Sequence, residues 1–255
     1  MESRSLLAGK TRGVVREIRQ LALIVALVLL GRAVVAEPFY VPSGSMEPTL
    51  DIGDDLITTK FPYGYSRYSM PLSLGPASAT RLFQRLPQRG DVVVFRLPRD
   101  PEQTYVKRVI GLPGDRIQVA GGRLVINGEP LALRDDGSGA MEMQDGQRMT
   151  VPRYVETLPD GREHSIFKWN WSGPLNDTQV YEVPPGHLFM MGDNRDNSLD
   201  SRVPPEAGGV GFVPVENLIG RADLILGSWD FPVMRQPIWS WLSGLRGSRF
   251  LAWIS

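Results

Sequence analysis

Three short stretches of this chain carry side chains that could do chemistry together. The first is Pro42-Ser43-Gly44-Ser45-Met46-Glu47-Pro48-Thr49-Leu50, where two serines flank one glycine between prolines. Proline keeps the segment from continuing a helix or sitting in a central strand, and glycine relieves a tight turn. A hydroxyl on so rigid a turn can be held exposed, as a nucleophile requires, although the same composition suits an ordinary turn. The second stretch is Thr104-Tyr105-Val106-Lys107-Arg108-Val109-Ile110. Strand alternation puts Tyr105, Lys107 and Val109 on one face and Val106, Arg108 and Ile110 on the other, so whichever face is buried carries one cation. On a solvated face Lys107 would snorkel. In an apolar pocket, desolvation would favour its neutral amine, which could take a proton from a serine. Arginine stays protonated, so of the two only Lys107 qualifies as a base.

The third stretch is Gly192-Asp193-Asn194-Arg195-Asp196-Asn197-Ser198-Leu199-Asp200-Ser201-Arg202. Its short polar side chains and Asp–Arg combinations make a dense hydrogen-bonding loop. Asp193, Asp196 and Asp200 offer oxygens to calcium, but the spacing lacks the alternating pattern and terminal bidentate glutamate, and Arg195 and Arg202 intrude. The only histidines are His164 and His187. His164 is expected on a surface strand and His187 at the start of another, both in structural or solvent roles, since no second ligand stands at metal spacing. Cysteine is absent, which removes disulfides, thiolate catalysis and Cys-bound metal together. Neither a metal nor a cofactor is expected.

The elements that must position these groups are mostly strands. With 255 residues, 42% hydrophobic and 22% charged, the chain is globular and long enough for one or two domains. Its 27 glycines and 21 prolines favour many short elements with turns. Net charge is zero and no basic block occurs, so nucleic acid is not an expected partner. Strands are expected in 51–60, at Val92–Phe95, across Thr104–Ile110, and in 213–219 and 222–226. Residues 61–88 read as an irregular excursion. Residues 116–126, with an Asn127-Gly128 turn, and 154–166, around Gly161, give two hairpin patterns. Residues 135–148 are polar, glycine-rich and expected to be mobile.

The ends carry a different pattern. Basic residues Arg4, Lys10, Arg12, Arg16 and Arg19 precede the unbroken apolar run Leu21–Leu30, and Gly31 and Arg32 interrupt it before Ala33–Ala36. Residues 21–36 are at the short edge of a membrane span, and the basic flank assigns residues 1–20 to the cytoplasm and everything from about Glu37 to the far side. A cleaved secretory signal ending near Val34-Val35-Ala36 and a buried core helix are the rival readings; the long basic region and Arg32 favour an uncleaved signal-anchor. The tail, residues 230–255, spaces Trp239, Trp241, Leu242, Leu245, Phe250, Leu251 and Trp253 with Arg246 and Arg249 as an amphipathic helix would, packed on the domain or lying at a lipid surface.

In order, Pro42–Leu50, Arg89–Phe95, Tyr105–Asp115 and Gly192–Arg202 resemble the bacterial type I signal peptidases, membrane-anchored serine proteases with a Ser–Lys dyad. With its linking strands the likeness covers roughly 20–120 and 181–229. It implies an antiparallel β-sheet catalytic core over 37–119 and 181–229, and an inserted β-rich subdomain over 120–180. It implies Ser45 as nucleophile, Lys107 as general base, Ser43 as an oxyanion donor and Ser198 as a residue that orients the lysine. Arg108, Asp193, Asp200 and Arg202 would brace the site. The implied substrates are secretory precursors with small residues before the cut, met at the membrane lipid by a monomeric enzyme in the inner membrane, facing the periplasm. Two other readings stay open: a Ser–Lys self-cleaving repressor, which would lack its DNA-binding helices here, and a tethered β-domain without activity. Ser45 and Lys107 stand 62 positions apart, a gap that a sheet can close and local structure cannot.

Overall fold

The protein is seen in a computed structural model that describes residues 16–29, 31, 35–70, 81–143, 147–230, 233 and 238–254. Residues 16–29 are helical and exposed. Among the described residues, no helix is long and apolar enough to cross a membrane. Of the expected anchor over 21–36, positions 30 and 32–34 lie outside the described residues, as do residues 1–15 of the basic tail. So do 71–80 of the irregular excursion, 144–146 of the polar stretch, and 231, 232, 234–237 and 255 of the tail.

The remainder is mostly antiparallel β. Along the chain the strands are β1 (Ala36–Tyr40), β2 (Asp54–Thr59), β3 (Val92–Leu97), β4 (Asp100–Gly111), β5 (Arg116–Ala120) and β6 (Arg123–Ile126). There follow β7 (Glu129–Pro130), β8 (Ala132–Glu142), β9 (Arg148–Thr157), β10 (Glu163–Phe167) and β11 (Tyr181–Glu182). The last are β12 (His187–Met191), β13 (Val213–Pro214), β14 (Leu218–Ser228) and β15 (Ala252–Trp253). The main sheet runs in the order β1-β2-β14-β3-β4-β12-β13, with β15 added to β14. Its central strand β3 shows why both faces are covered. Val93, Phe95 and Leu97 enter one apolar cluster with Val109, Met190 and Leu218, while Val92 and Val94 enter another with Met46, Leu50 and Ile219. A strand apolar on both sides must be interior. Its neighbour β4 is therefore enclosed as well, and Lys107 and Arg108 are both buried, at 3% and 1% exposure. The sequence allows for one buried cation on this strand, and the fold encloses two.

Two smaller sheets lie between β4 and β12 in the chain, in the orders β11-β5-β6-β7 and β10-β9-β8. The first straddles the expected border between residues 119 and 120. The second corrects the expectation of a mobile stretch at 135–148. Residues up to Glu142 belong to β8, paired with β9 from Ala132–Thr157 to Glu142–Arg148. Backbone pairing orders this polar segment whatever its side chains, and Gly139 lets it pass directly over the Phe167 ring, where a Cβ would collide. The tail is also corrected. Its described residues form the short 3-10 turns Ile238–Gly244 and Gly247–Arg249, then β15. Arg246 reaches the Ile52 carbonyl, Arg249 reaches the Thr49 carbonyl, and β15 joins β14. A continuous amphipathic helix would not make this sequence of contacts.

Candidate active site

Ser43 precedes a single 3-10 turn, Gly44–Met46, and its own side chain makes no capping bond, so its hydroxyl stands exposed. The turn is pinned from below by Met46, fully buried in the core. From the other side Asn194 holds it: its backbone N–H donates to the Ser45 carbonyl at 3.2 Å and its Nδ2 to the Gly44 carbonyl at 2.9 Å. Ser45 is left half-buried, and its Oγ lies 2.6 Å from Lys107 Nζ, which also donates to the Val106 carbonyl at 3.0 Å. The ammonium sits 5.4 Å from the centre of the Tyr105 ring. Burial lowers the Lys107 pKa from 10.5 to about 8; the Asp200 and Asp193 carboxylates resist the shift and Arg202 assists it. A lysine that gives up its proton near neutrality, in hydrogen-bond contact with a serine, can act as that serine's base.

Behind the pair stands a chain of buried ions. Arg108 donates twice to Asp193, through Nε at 2.8 Å and Nη2 at 2.7 Å, and Thr49 Oγ1 adds a third bond to that carboxylate at 2.6 Å. Arg202 grips Asp200 in the same two-pronged way, at 2.8 Å on each side, and the Gly192 N–H joins at 3.0 Å. Burial alone would raise both carboxyls, but the facing guanidinium more than offsets it, and both are held below the usual carboxylate range. Ser198 is buried beside Asp200 and helps hold that carboxyl down, yet its Oγ forms no well-shaped hydrogen bond and none to Lys107. Gly192 is why the loop can approach: a Cβ there would strike both Ser198 Oγ and the Ser45 carbonyl oxygen.

The fold thus gathers Ser45, Lys107, Arg108, Asp193, Ser198, Asp200 and Arg202, with Ser43 at the head of the turn. Asp196 instead accepts from Lys168 Nζ at 2.7 Å, and His187 stands at the start of β12 with Nδ1 3.0 Å from the Pro185 carbonyl. His164 departs from expectation more sharply. It is buried rather than on a surface strand, with Nε2 3.4 Å from Glu156 Oε2 and 4.0 Å from Asp193 Oδ1. Burial, with Arg108 beside it, lowers its pKa to about 4, so it is neutral at pH 7. Glu156 in turn binds Arg195 through both oxygens, Nη1 at 2.7 Å on one side. The strand end at Phe167 bridges to Asn194, joining the inserted sheet to the loop that holds Ser45. Sequence reasoning misses Glu156 altogether. The available signal is the β9–β10 hairpin register, which sets His164 opposite Glu156. Among the described residues no group of three or more His, Asp or Glu side chains could hold a metal.

A sequence model of the family "Signal peptidase, peptidase S26" matches residues 14–229. The chain belongs to this signal peptidase family. It is 41% identical over 211 residues to a signal peptidase I of Rickettsia akari, covering 80% of this chain and 76% of that one. It is 39% identical over 224 residues to a signal peptidase I of Rickettsia prowazekii, covering 85% and 81%. A crystal structure of a signal peptidase I from Enterococcus faecalis, 29% identical, covers 54% of this chain and 97% of its own at a TM-score of 0.33, too low to inform the fold. Membership in the signal peptidase family makes the chain a serine peptidase.

Proposed function

We propose that the chain is a membrane-bound serine endopeptidase that removes N-terminal signal peptides from exported precursors, with Ser45 as nucleophile and Lys107 as general base. The observation that carries this reading is the 2.6 Å approach of Ser45 Oγ to a buried lysine whose pKa is about 8. Neutral Lys107 takes the Ser45 proton as Oγ attacks the scissile carbonyl carbon. The resulting oxyanion is met by the Ser45 backbone N–H and the free, exposed Ser43 hydroxyl. Collapse breaks the C–N bond, Lys107 returns the proton to the leaving amine, and an acyl-enzyme ester remains on Ser45. A water molecule then gives a proton to Lys107, attacks the ester carbonyl, and releases the precursor's signal segment as Ser45 regains its proton.

Arg108, Asp193, Asp200 and Arg202 brace the site, and Ser198 orients the lysine side of it through the Gly192–Asp200 loop. No cofactor, metal or nucleic acid enters the scheme, and the enzyme acts as a monomer. Residues 21–36 anchor it in the inner membrane with residues 1–20 in the cytoplasm, which supplies precursors while they still occupy the bilayer. Apolar side chains such as Leu21, Leu23 and Leu27, each about 60% exposed, support this assignment, because a lipid face is where such a helix would be covered. The core over 37–119 and 181–229 then carries catalysis, with 120–180 inserted into it. The test is cleavage of a purified precursor with small residues before the cut. Ser45→Ala should be inactive, and full activity in that variant would overturn the assignment.

A further inference from the structure

Among the described residues, every buried acid near the nucleophile turn except one is held by an arginine. Asp193 is paired with Arg108, Asp200 with Arg202, Glu156 with Arg195, and Asp54 with Arg249. The exception is Glu47, two residues beyond Ser45 and only 3% exposed. Its oxygens accept the Glu142 backbone N–H at 3.2 Å and Asn194 Nδ2 at 3.4 Å. That Asn194 nitrogen is the one that also donates to the Gly44 carbonyl. The carboxylate lies against the turn itself, with Oε2 2.6 Å from where a Gly44 Cβ would stand. Glu47 therefore touches the turn, the Asn194 loop and β8 at once.

We propose that Glu47 is a positioning residue for the Ser45 turn, acting as a carboxylate that orients Asn194 and ties the turn to the inserted sheet. This rests on the peptidase reading above and deepens it. The hydrogen bonds identify the working form. Both contacts bring N–H donors to the carboxyl and neither offers an acceptor, so a protonated Glu47 would set its O–H against donors. The surrounding charges do not secure that form. Asp51 and the Glu142 side chain oppose ionisation, while Arg246 and Arg249 favour it from a distance and are committed to Asp51, Asp54 and Glu142. Burial dominates and raises the Glu47 pKa to about 7. The turn is thus fully held above neutral pH and loosened below it.

The test uses the full-length enzyme in detergent. Wild-type kcat should fall through pH 7 by about tenfold more than protonation of Lys107 requires, the scale of one lost hydrogen bond. Glu47→Gln, which presents one amide donor to the same donors, should show that tenfold loss in kcat at pH 9 with KM unchanged, and the inflection near pH 7 should vanish. Glu47→Met serves as a second variant with no polar group to misplace, and the same loss of inflection is expected. Independently of activity, a 13C-labelled glutamate carboxyl should titrate near pH 7 in the wild type and be missing from Glu47→Gln. An active enzyme whose Glu47 variants keep wild-type kcat and inflection, or in which no glutamate titrates between pH 6 and 8, overturns this proposal alone. An inactive wild type overturns it together with the peptidase reading.

Discussion

Lys107 makes the sharpest quantitative claim. Lowering its pKa from 10.5 to about 8 raises the neutral fraction at pH 7 from about 0.03% to about 9%, roughly 300-fold more base available to Ser45. The perturbation is pH itself, scanned from 5 to 10 against a quenched peptide with small residues before the cut. On the acid side kcat/KM should rise at least tenfold per unit up to pH 7, bend near pH 8 and level off above it. Lys107→Arg retains the cation but cannot shed its proton, and should be inactive at every pH. A profile flat down to pH 5 would refute the argument, and so would a midpoint near 10, which would mean the amine is solvated.

The same shift has a consequence for stability, with a definite sign. The folded value lies below the unfolded one, so between pH 8 and 10.5 the unfolded chain holds more protons and stability rises with pH. Below pH 8 the buried ammonium costs about 3 kcal/mol, from a shift near 2.5 units at 1.36 kcal/mol each. Lys107→Met removes that penalty while leaving the shape similar. Its Tm at pH 7 should exceed wild type by several degrees, and the gap should close by pH 10.5; a lower Tm at pH 7 would contradict the desolvation account.

Other variants probe the parts around Ser45 and Lys107. Ser43→Ala should lower kcat by about 10²–10³ with little change in KM, as loss of one oxyanion donor does; an effect on KM alone would move Ser43 to substrate binding. Gly192→Ala pushes a methyl into Ser198 Oγ and the Ser45 carbonyl, so activity should fall more than a hundredfold while circular dichroism of the sheet persists. Glu156→Gln breaks a fully buried ion pair with Arg195 and should lower unfolding free energy by about 3–5 kcal/mol in denaturant titration. A change under 1 kcal/mol would mean the inserted sheet does not brace the catalytic loop.

The groups that meet at the candidate site were legible because each of the main ones sits in a local pattern with its own physical signature. Prolines around Ser-Gly-Ser announce a turn, alternation isolates Lys107 from Arg108, and the Asp/Asn/Arg loop announces hydrogen bonding. The strands at Val92–Phe95 and Thr104–Ile110 were legible for the same reason, as apolar runs of strand length. What local pattern cannot supply is the other side of a contact. Both faces of β4 are buried because β3 carries apolar residues in both directions and separate segments cover each one, so a rule that expects one buried face undercounts by a cation.

The polar stretch at 135–142 failed to look like a strand because its order comes from β9 and from Phe167 beneath Gly139, not from its own side chains. The tail reads as a helix by spacing, but Arg246 and Arg249 find carbonyls and carboxylates near the Ser45 turn, and those distant partners decide its path. Glu156, His164 and Arg195 make the same point for the site. Each alone is an unremarkable surface residue by type, and hairpin register must first bring two of them face to face. Burial of these charges is tolerated only because every member has a partner, which makes the network a constraint on geometry more than a source of stability. Glu47 lies outside that rule. Its hydrogen-bond partners are donors without charge, and this leaves a proton-sensitive group two residues from Ser45.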